Sequence, residues 1–461
     1  MKKTSLLLGL LLLTTLAWTQ TPKIKAYFTR AVNNSVSTGT NAVFLDNLVD
    51  DTLIAYINRA QFTIDAAIYS FKETNDISSI AAAINSAYAR GVAVRWIYDG
   101  SSSNPSLSLL NSNIPTLASP TSEFYGIMHN KFMIIDANST NVNDPIVWTG
   151  SCNFSASQIN TDANNILIIQ DKAIAAAYLT EFNEMWGDEG LVPNTGDSKF
   201  GPFKTNNTPH NFVVDGVPIE LYFSPTDGTN AKLQNAMGSS DIDMYFGVYS
   251  FTVSADADTI VKQIEDGVYV AGILDPTSSS YPPYAILSPI MGENLIKDNI
   301  TGLYHNKMLI VDPSAPNSDP LVLTGSHNWS ASADTKNDEN TLIIHDATLA
   351  NIYYQSFFQN FTDEGGTLVL QTGIESLAVP SSFLVYPNPC KNEVFIKLEN
   401  NKPIKNVSLF LTDALGRTLY KNEMDSYGLQ TIHIQNLQTG LYFICIQDAK
   451  TSVTKKLQVV R

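Results

Sequence analysis

The stretch Gly126-Ile-Met-His-Asn-Lys-Phe-Met-Ile-Ile-Asp136 decides the fold, because it recurs later as Gly302-Leu-Tyr-His-Asn-Lys-Met-Leu-Ile-Val-Asp312. Downstream of it, Trp148-Thr-Gly-Ser-Cys-Asn-Phe-Ser-Ala-Ser157 is matched by Leu323-Thr-Gly-Ser-His-Asn-Trp-Ser-Ala-Ser332. Matching segments at so long a spacing indicate a duplicated domain and not a solenoid.

Each copy has the alternating pattern of an α/β domain. The first copy contains two Ala-rich segments with helical spacing, 80–89 and 173–185. It also contains five strand-like apolar runs, at 62–69, 92–98, 131–136, 146–149 and 166–170. We therefore predict two pseudo-symmetric lobes, residues 24–193 and 215–372, each a mixed sheet flanked by helices. Residues 194–214, rich in Gly, Pro, Asn and Thr, are predicted to be the linker between them.

The two ends of the chain differ from the repeat. Lys2 and Lys3 precede a short apolar run, and residues 1–20 are typical of a secretory signal peptide. The run is shorter than the roughly 20 residues that a membrane span requires. Residues 384–461 show short alternating strands separated by turn motifs, which predict a small all-β sandwich.

Composition limits the partners and cofactors. The 461 residues carry a formal net charge of -16, and such a surface repels an extended nucleic acid. The three cysteines cannot all pair, although Cys390 and Cys445 both lie in the C-terminal region and are candidates for a bridge. The six histidines form no ligand-like cluster, so neither a metal site nor a cofactor is expected.

The repeated motifs carry polar side chains in a fixed order. His129 and Lys131 lie two apart in an extended run and therefore project to the same face. Ser151 and Asn153 follow in a Gly-Ser turn, whose N–H and hydroxyl groups can bind an anion. The second copy repeats all four side chains, as His305, Lys307, Ser326 and Asn328. Lobes packed about a pseudo-two-fold axis would bring both sets into one site.

This set of side chains suits the cleavage of a phosphodiester. Lysine and asparagine donors offset the charge that develops on the non-bridging oxygens. One neutral histidine can attack phosphorus and form a covalent phosphohistidine, while a second, protonated histidine donates to the departing oxygen. Two neighbouring imidazoles titrate as a pair, which favours one charged and one neutral ring. The scheme requires no metal.

His-x-Lys-x-x-x-x-Asp followed by Gly-Ser-x-Asn, present twice, resembles the phospholipase D superfamily over about residues 26–370. The resemblance implies that His129 is the nucleophile and His305 the acid/base. It further implies phosphate binding by Lys131, Lys307, Asn153 and Asn328, and a largely structural role for Asp136 and Asp312.

Members of that superfamily place an acidic residue beyond Gly-Ser-x-Asn to hold the histidine ring, and here the two copies differ. The second lobe offers Glu339, whereas the aligned residue of the first lobe is the neutral Asn164. Asp162 lies two positions earlier and on the same face if the segment is extended, so it is the candidate substitute for orienting His129. The segments 136–150 and 313–320 are predicted to be surface hairpin loops.

Several other residues have ordinary explanations. Cys152 is expected to be a packing residue, since buried cysteines are usually inert and the second copy has a histidine there. Surface or packing roles are expected for His210, His345 and His433. Four tyrosines flank the motifs and are candidate substrate contacts: Tyr69, Tyr125, Tyr249 and Tyr304.

The C-terminal region resembles the type A sorting domain of the Por, or type IX, secretion system. The matching residues are Tyr386-Pro-Asn-Pro389, Leu411-Thr-Asp-Ala-Leu-Gly-Arg417, Leu437-Gln-Thr-Gly-Leu-Tyr442 and Lys455-Lys456. The resemblance implies contact with the outer-membrane secretion machinery after export through the periplasm, and a secreted or cell-surface protein. The alternative is a carbohydrate-binding β-module.

Three hypotheses follow for the function of the whole chain. The first is an exported phosphodiesterase of phospholipase D type, a monomer that cleaves the distal phosphodiester bond of a phospholipid. The second is a secreted, metal-independent endonuclease that uses the same site. The third is a surface binding protein without turnover. The acidity of the chain favours a lipid or a small diester over a nucleic acid.

Overall fold

A computed structural model describes residues 22–72, 75–368, 383–398, 407–414, 416–424, 429–447 and 452–461. The predicted signal peptide, residues 1–20, lies outside the described residues. Within these ranges, no helix has the length and apolar character needed to cross a bilayer.

The first lobe is built on a seven-stranded mixed sheet. Its strands are β1 (Ile24–Phe28), β2 (Thr63–Ile68), β3 (Ala93–Tyr98), β4 (Thr116–Ala118), β5 (Lys131–Ile135), β6 (Ile146–Gly150) and β7 (Asn165–Ile169). They lie in the order β1-β7-β6-β5-β2-β3-β4, with β2, β3 and β4 parallel and the other neighbours antiparallel. The helices are α1 (Val49–Ile57), α2 (Asn75–Ala89), α3 (Ala156–Asn160) and α4 (Lys172–Trp186).

The second lobe repeats this arrangement with one extra edge strand. Its strands are β8 (Asn211–Val214), β9 (Val217–Ser224), β10 (Asp243–Val248), β11 (Tyr269–Leu274), β12 (Leu295–Lys297), β13 (Lys307–Val311), β14 (Leu321–Gly325) and β15 (Glu339–Ile344). They lie in the order β12-β11-β10-β13-β14-β15-β9-β8. The helices are α5 (Thr229–Gly238), α6 (Ser254–Glu265), α7 (Pro282–Met291), α8 (Ala331–Thr335) and α9 (Ala347–Asp363).

The predicted strands and helices of the first lobe are confirmed, with shifts at their ends. β5, β6 and β7 are buried along their whole length, as expected of apolar strands covered on both faces. Helix α4 begins where the Asp171 carboxylate accepts hydrogen bonds from the N–H groups of Ala173 and Ile174. It ends at Gly187, whose φ of 77° suits the left-handed cap.

The two lobes share one hydrophobic core. The ring of Tyr178, on α4 of the first lobe, lies 5.0 Å from Phe132 and 5.2 Å from Phe223 of the second lobe. In return Tyr353, on α9 of the second lobe, lies 5.2 Å from Phe28 of the first. These aromatic residues belong to one cluster of buried side chains. The last helix of each lobe therefore packs against the other lobe. The strands that follow the histidines, β5 and β13, both contribute to this shared core.

The segment predicted to be a linker is partly buried and contributes a strand to the second sheet. Phe200 and Lys204 are buried, and residues 211–214 form β8, which pairs with β9 in the second sheet. The Lys204 ammonium contacts the Glu181 carboxylate and lies 3.1 Å from Asp338. Burial opposes the charge of this lysine, but the two carboxylates raise its pKa. The connection thus adds a buried ion pair between the lobes.

The C-terminal region is an all-β sandwich, as predicted. One sheet contains β16 (Phe383–Tyr386), β17 (Glu393–Leu398) and β20 (Leu429–His433); the other contains β18 (Val407–Asp413), β19 (Thr418–Met424), β21 (Gly440–Gln447) and β22 (Ser452–Val459). Alternate apolar side chains fill the space between them, among them Val394, Leu409 and Ile444. Cys390 and Cys445 are both free, so the bridge considered from the sequence is absent from this structure.

Candidate active site

Each motif histidine is held by the backbone of the opposite lobe. The His129 N–H donates to the carbonyl of Asp338 at 2.9 Å, and the His305 N–H donates to the carbonyl of Ala163 at 2.9 Å. The predicted strand begins only at Lys131, so His129 lies in the extended segment before it. These contacts between lobes place both histidines at the interface.

The imidazole partners are exchanged between the lobes. His129 donates from Nδ1 to the Glu339 carboxylate at 2.8 Å, whereas His305 donates from Nδ1 to Oδ1 of Asn164 at 2.9 Å. The prediction that Asp162 or Asn164 orients His129 is therefore wrong. Asp162 instead accepts the Leu303 N–H at 3.0 Å. The nucleophile candidate keeps a carboxylate, and the neutral amide belongs to its partner.

The lysines lie beneath the histidines. Lys131 donates from Nζ to the carbonyl of His129 at 2.5 Å, and Lys307 donates to the carbonyl of His305 at 2.6 Å. Both lysines are fully buried. The Lys131 ammonium lies 5.1 Å from the ring centroid of Tyr69, and the Lys307 ammonium lies 5.0 Å from that of Tyr249. Cation–π attraction stabilises such charges.

The motif serines orient the histidine partners and do not face the substrate. Ser151 donates from Oγ to Asn164 at 2.9 Å, and Ser326 donates to Glu339 at 2.6 Å. Their backbone N–H groups are also occupied, by the carbonyls of residues 165 and 340. The expectation that Ser151 and Ser326 bind substrate is therefore wrong, because their donors are already engaged inside the protein.

The motif asparagines do face the cavity. Asn153 and Asn328 line it beside the two histidines. Among the described residues, no group hydrogen-bonds to the buried Oδ1 atom of either side chain. An amide oxygen accepts hydrogen bonds, as phosphate oxygens do, so the expected phosphate binding would fall to the Nδ2 donors and stays a prediction.

A second layer of asparagines, missed from the sequence, connects the lobes. Asn340 donates to Oδ1 of Asn130 at 2.9 Å, and Asn165 donates to Oδ1 of Asn306 at 2.9 Å. Thr149 and Thr324 donate into the same network. The middle residue of His-Asn-Lys, identical in both copies, was the signal that could have identified this buried layer.

A cavity of about 740 Å³ opens between the lobes, above the histidines. The rings of Tyr69 and Tyr249 line it, 4.9 Å from His129 and 5.0 Å from His305. The other two tyrosines suggested by the sequence have different roles. Tyr304 is buried in the shared core, and Tyr125 packs against Phe203 at 5.0 Å.

Burial governs the charge state of this site. It lowers the pKa of His129 to about 4 and that of Lys131 to about 7. It also lowers the pKa values of His305 and Lys307 well below their usual range, with the neighbouring lysine charges adding to the effect. Burial alone would raise the pKa of Glu339, but His129 and Lys131 hold it at about 2. An ionised Glu339 thus lies among histidines and lysines whose pKa values are lowered.

The motif aspartates lie at the far end of their strands. Asp136 accepts hydrogen bonds from the N–H groups of Gln61, Phe62 and Thr63. Asp312 accepts the corresponding three, from residues 241–243. Neither carboxylate lines the cavity. These contacts support the structural role implied by the resemblance.

Cys152 and the four histidines outside the two motifs do not line the cavity. Cys152 is buried in the outer core of the first lobe, and burial raises the pKa of its thiol. His433 is exposed, and His210 donates from Nδ1 to the carbonyl of Leu221 at 2.9 Å. His345 is buried between Asp319 and Glu220 at 3.2 and 3.1 Å. Although burial opposes it, these carboxylates raise the pKa of His345 to about 10, so it is a buried cation.

Within the part of the chain that the structure describes, no group of three or more His, Cys, Asp or Glu side chains is arranged to hold a metal ion. Two imidazoles and two amides line the cavity, and the ammonium groups of Lys131 and Lys307 are buried next to the imidazoles. These are the groups of an acid–base and nucleophilic site.

Comparison with known proteins gives family matches to most of the chain. The family model of the cardiolipin synthase PLD-like domain matches residues 53–186 and 231–361, and the model of the secretion system C-terminal sorting domain matches residues 384–460. In structure, phosphatidylserine synthase of Haemophilus influenzae is similar, with a TM-score of 0.53 and 13% identity over 75% of this chain and 87% of that one. That likeness concerns the fold alone.

Relatives by sequence cover the repeat in part. The phospholipase D of Rickettsia bellii is 27% identical over 179 residues, which are 37% of this chain and 86% of that protein. The mitochondrial cardiolipin hydrolase of Xenopus tropicalis is 31% identical over 139 residues, which are 29% of this chain and 59% of that protein. Because the two matches of the first family model together span more than half of the residues, this protein belongs to the phospholipase D-like family of phosphodiesterases and ends in a secretion sorting domain.

Proposed function

We propose that this protein is a secreted phosphodiesterase that hydrolyses phospholipids through a phosphohistidine on His129. One observation carries the assignment of roles: the ring of His129 donates to a carboxylate, and the ring of His305 donates to a neutral amide. A nucleophilic imidazole becomes positively charged as it bonds to phosphorus. The adjacent Glu339 carboxylate stabilises that charge, whereas Asn164 offers no charge to His305.

In the first step, His129 attacks phosphorus with its Nε2 lone pair. The bond from phosphorus to the departing alcohol breaks as the N–P bond forms, and His305 donates its proton to the departing oxygen. The resting His305 is neutral because burial lowers its pKa. Binding of the anionic diester raises the proton affinity of that ring and allows it to take up the proton it later donates.

In the second step, His305 is neutral and acts as a base. It accepts a proton from water while the water oxygen attacks phosphorus and the N–P bond breaks, which returns His129 to its neutral form. Lys131 and Lys307 would offset the charge of the non-bridging oxygens in both steps, together with the amides of Asn153 and Asn328. His305 then holds the proton taken from water, and it returns to its neutral form by releasing that proton to solvent as the anionic product leaves.

Two considerations favour a phospholipid as the substrate. The net charge of -16 disfavours long-range attraction of a nucleic acid. Relatives that match the repeat are named phospholipase D and mitochondrial cardiolipin hydrolase. We therefore infer the phospholipase D reaction, cleavage of the bond between the phosphate and the head group.

The C-terminal sandwich supports export as the setting for this activity. Residues 384–460 match a secretion sorting domain, which indicates passage through the type IX machinery. We propose that the protein acts outside the cell or attached to its surface. Lipids of neighbouring membranes would be accessible to it there.

A substrate panel tests the proposal. Purified protein is incubated with phosphatidylcholine micelles, single-stranded DNA and bis-p-nitrophenyl phosphate, each with and without EDTA. We expect release of choline and of p-nitrophenol, and no loss of rate with the chelator. Nicking of DNA without choline release would establish the nuclease instead. Folded protein that cleaves none of the three would leave only a binding role, and loss of activity with EDTA would contradict the mechanism.

A further inference from the structure

Most side chains on the two walls of the cavity are chemically matched. Both lobes contribute equivalent hydroxyl and amide side chains, in the pairs Ser70 and Ser250, Asn153 and Asn328, Ser155 and Ser330, and Ser157 and Ser332. Three residues after the cavity tyrosines, however, the first lobe presents Lys72 and the second presents Thr252. Gln158, Tyr281 and Asn337 also line one side only, but they carry no charge, so Lys72 makes the difference in charge between the two walls among the described lining residues.

Lys72 and Thr252 occupy equivalent and well-anchored backbone positions. Phe71 forms a β-bridge with Phe154, and the Lys72 N–H donates to the carbonyl of Phe154 at 2.9 Å. In the second lobe the Thr252 N–H donates to the carbonyl of Trp329 at 2.8 Å. Phe154 directly follows the cavity residue Asn153. The base of the Lys72 side chain is thus fixed beside a group expected to bind phosphate.

The surroundings of Lys72 favour an external anion. Among the described residues that line the cavity, Lys72 is the only lysine or arginine, and neither Asp nor Glu is present. Its side chain is exposed, and no described carboxylate forms an ion pair with it. The chain as a whole has 44 acidic and 28 basic residues, so a cavity without a carboxylate departs from the general surface. Lys131 and Lys307 lie beneath the histidines and donate to carbonyls there.

We propose that Lys72 forms a second anion subsite, so that the preferred diesters carry a second phosphate on the alcohol bound by the first lobe. This rests on the proposed phosphodiesterase function and narrows its substrate class. The scissile phosphate would lie between the histidines, and the second phosphate would meet the ammonium at the wall. The shared chemistry is a diester with a second phosphate a few bonds away, whether its source is a lipid head group or a nucleotide.

Two matched pairs of substrates test the subsite and separate the sources. The lipid pair is phosphatidylglycerol and phosphatidylglycerol phosphate in mixed micelles. The nucleotide pair is thymidine 5′-(p-nitrophenyl phosphate) with and without a 3′-phosphate. We expect the wild type to prefer the bisphosphate member of at least one pair, mainly through a lower KM. Replacement Lys72→Thr, which installs the residue of the second lobe, should reduce that preference about tenfold.

Two control measurements distinguish charge from structure. Lys72→Arg should restore most of the preference, and salt should weaken it in the wild type but not in Lys72→Thr. Lys262→Thr removes an exposed lysine that is ion-paired with Asp266 in α6, and it should leave the preference unchanged. Equal rates on both members of each pair, or a preference that survives Lys72→Thr, would overturn the subsite.

A binding measurement tests the subsite without requiring turnover. Calorimetry compares thymidine 3′,5′-bisphosphate with thymidine 5′-monophosphate on the wild type and on Lys72→Thr. Tighter binding of the bisphosphate that disappears in the variant supports the subsite even if no diester is hydrolysed, an outcome that would reject only the proposed function. Equal binding of the two nucleotides by the wild type, together with equal rates on both lipids, rejects the subsite alone.

Discussion

The two halves of the active site have the same histidine, lysine and asparagine, but they differ in the side chain that holds the imidazole. In one half Glu339 accepts a hydrogen bond from His129, and Ser326 and Asn337 donate to the same carboxylate at 2.6 and 3.1 Å. In the other half Oδ1 of Asn164 accepts a hydrogen bond from His305. The duplicated domain thus has the same geometry in both halves but a carboxylate in only one of them.

This difference gives the two histidines different roles in a site whose geometry is otherwise symmetrical. A carboxylate next to an imidazole favours the ring that must become charged when it attacks, and a neutral amide fixes the tautomer without adding proton affinity. The ring held by Asn164 releases its proton more readily, which suits a group that alternates between acid and base. Variants on either side of the cavity test whether this difference determines the role of each histidine.

The largest effect is expected for the nucleophile. Replacement of His129 by Asn should reduce turnover roughly 10⁵-fold, because the covalent step disappears.

Replacement of His305 by Asn should reduce turnover of a lipid roughly 10² to 10⁴-fold, since the departing alcohol then lacks its acid. On a p-nitrophenyl ester the second variant should instead accumulate phosphoprotein. Trapping of radiolabelled phosphate in acid-labile form measures this, and phosphate found on His305 of the first variant reverses the assignment.

The carboxylate comes next. Replacement Glu339→Gln should lower kcat roughly 10³ to 10⁴-fold, because it removes the charge that stabilises the His129 imidazolium. Glu220→Gln is the matched control, a buried carboxylate in the same sheet that contacts His345 at 3.1 Å. The control should keep its activity per folded molecule, as judged by circular dichroism and active-protein concentration. Equal losses in both variants would show that Glu339 acts only through folding.

The sequence predicted most of this architecture because each copy of the repeat alternates apolar strand-like runs with helical segments, which is typical of an α/β domain. It also predicted His129, Lys131 and their counterparts, which the structure brings together between the lobes. It could not predict the exchange of partners. The contact between His129 and Glu339 joins residues 210 positions apart in the chain, and it arises from a backbone bridge between Met128 and Asp338 of different lobes.

The serines show the same limit on a smaller scale. Gly-Ser turns at the edge of a sheet indicate an anion site, and nothing in the sequence marks Ser151 as already bonded to Asn164. Whether a donor faces the cavity or the interior depends on the packing of the opposite lobe. The residues that a motif shares can therefore be identified from the sequence, whereas the direction in which each one points follows from the interface.

The most informative variant with a smaller effect places a carboxylate in both halves. Asn164 accepts from His305 and from Ser151 through Oδ1, and its Nδ2 donates to the carbonyl of Gln158 at 3.0 Å. Replacement Asn164→Asp keeps the first two contacts and sets a carboxylate oxygen against that carbonyl. We expect a loss of about 1 to 3 kcal/mol in the free energy of unfolding, measured in urea.

The pH profile of the same variant tests the role of His305. Burial and the lysine charges lower the pKa of this ring, and an adjacent carboxylate acts in the opposite direction. The protonated form of the ring then persists to higher pH, so the alkaline limb of kcat/KM should move upward by about 1 to 3 pH units. Asn164→Ala removes the acceptor without adding charge and should lower the rate without moving the limb upward. If Asn164→Asp leaves the limb in place, His305 is not the group whose protonation limits the reaction, and the asymmetry between the halves concerns orientation alone.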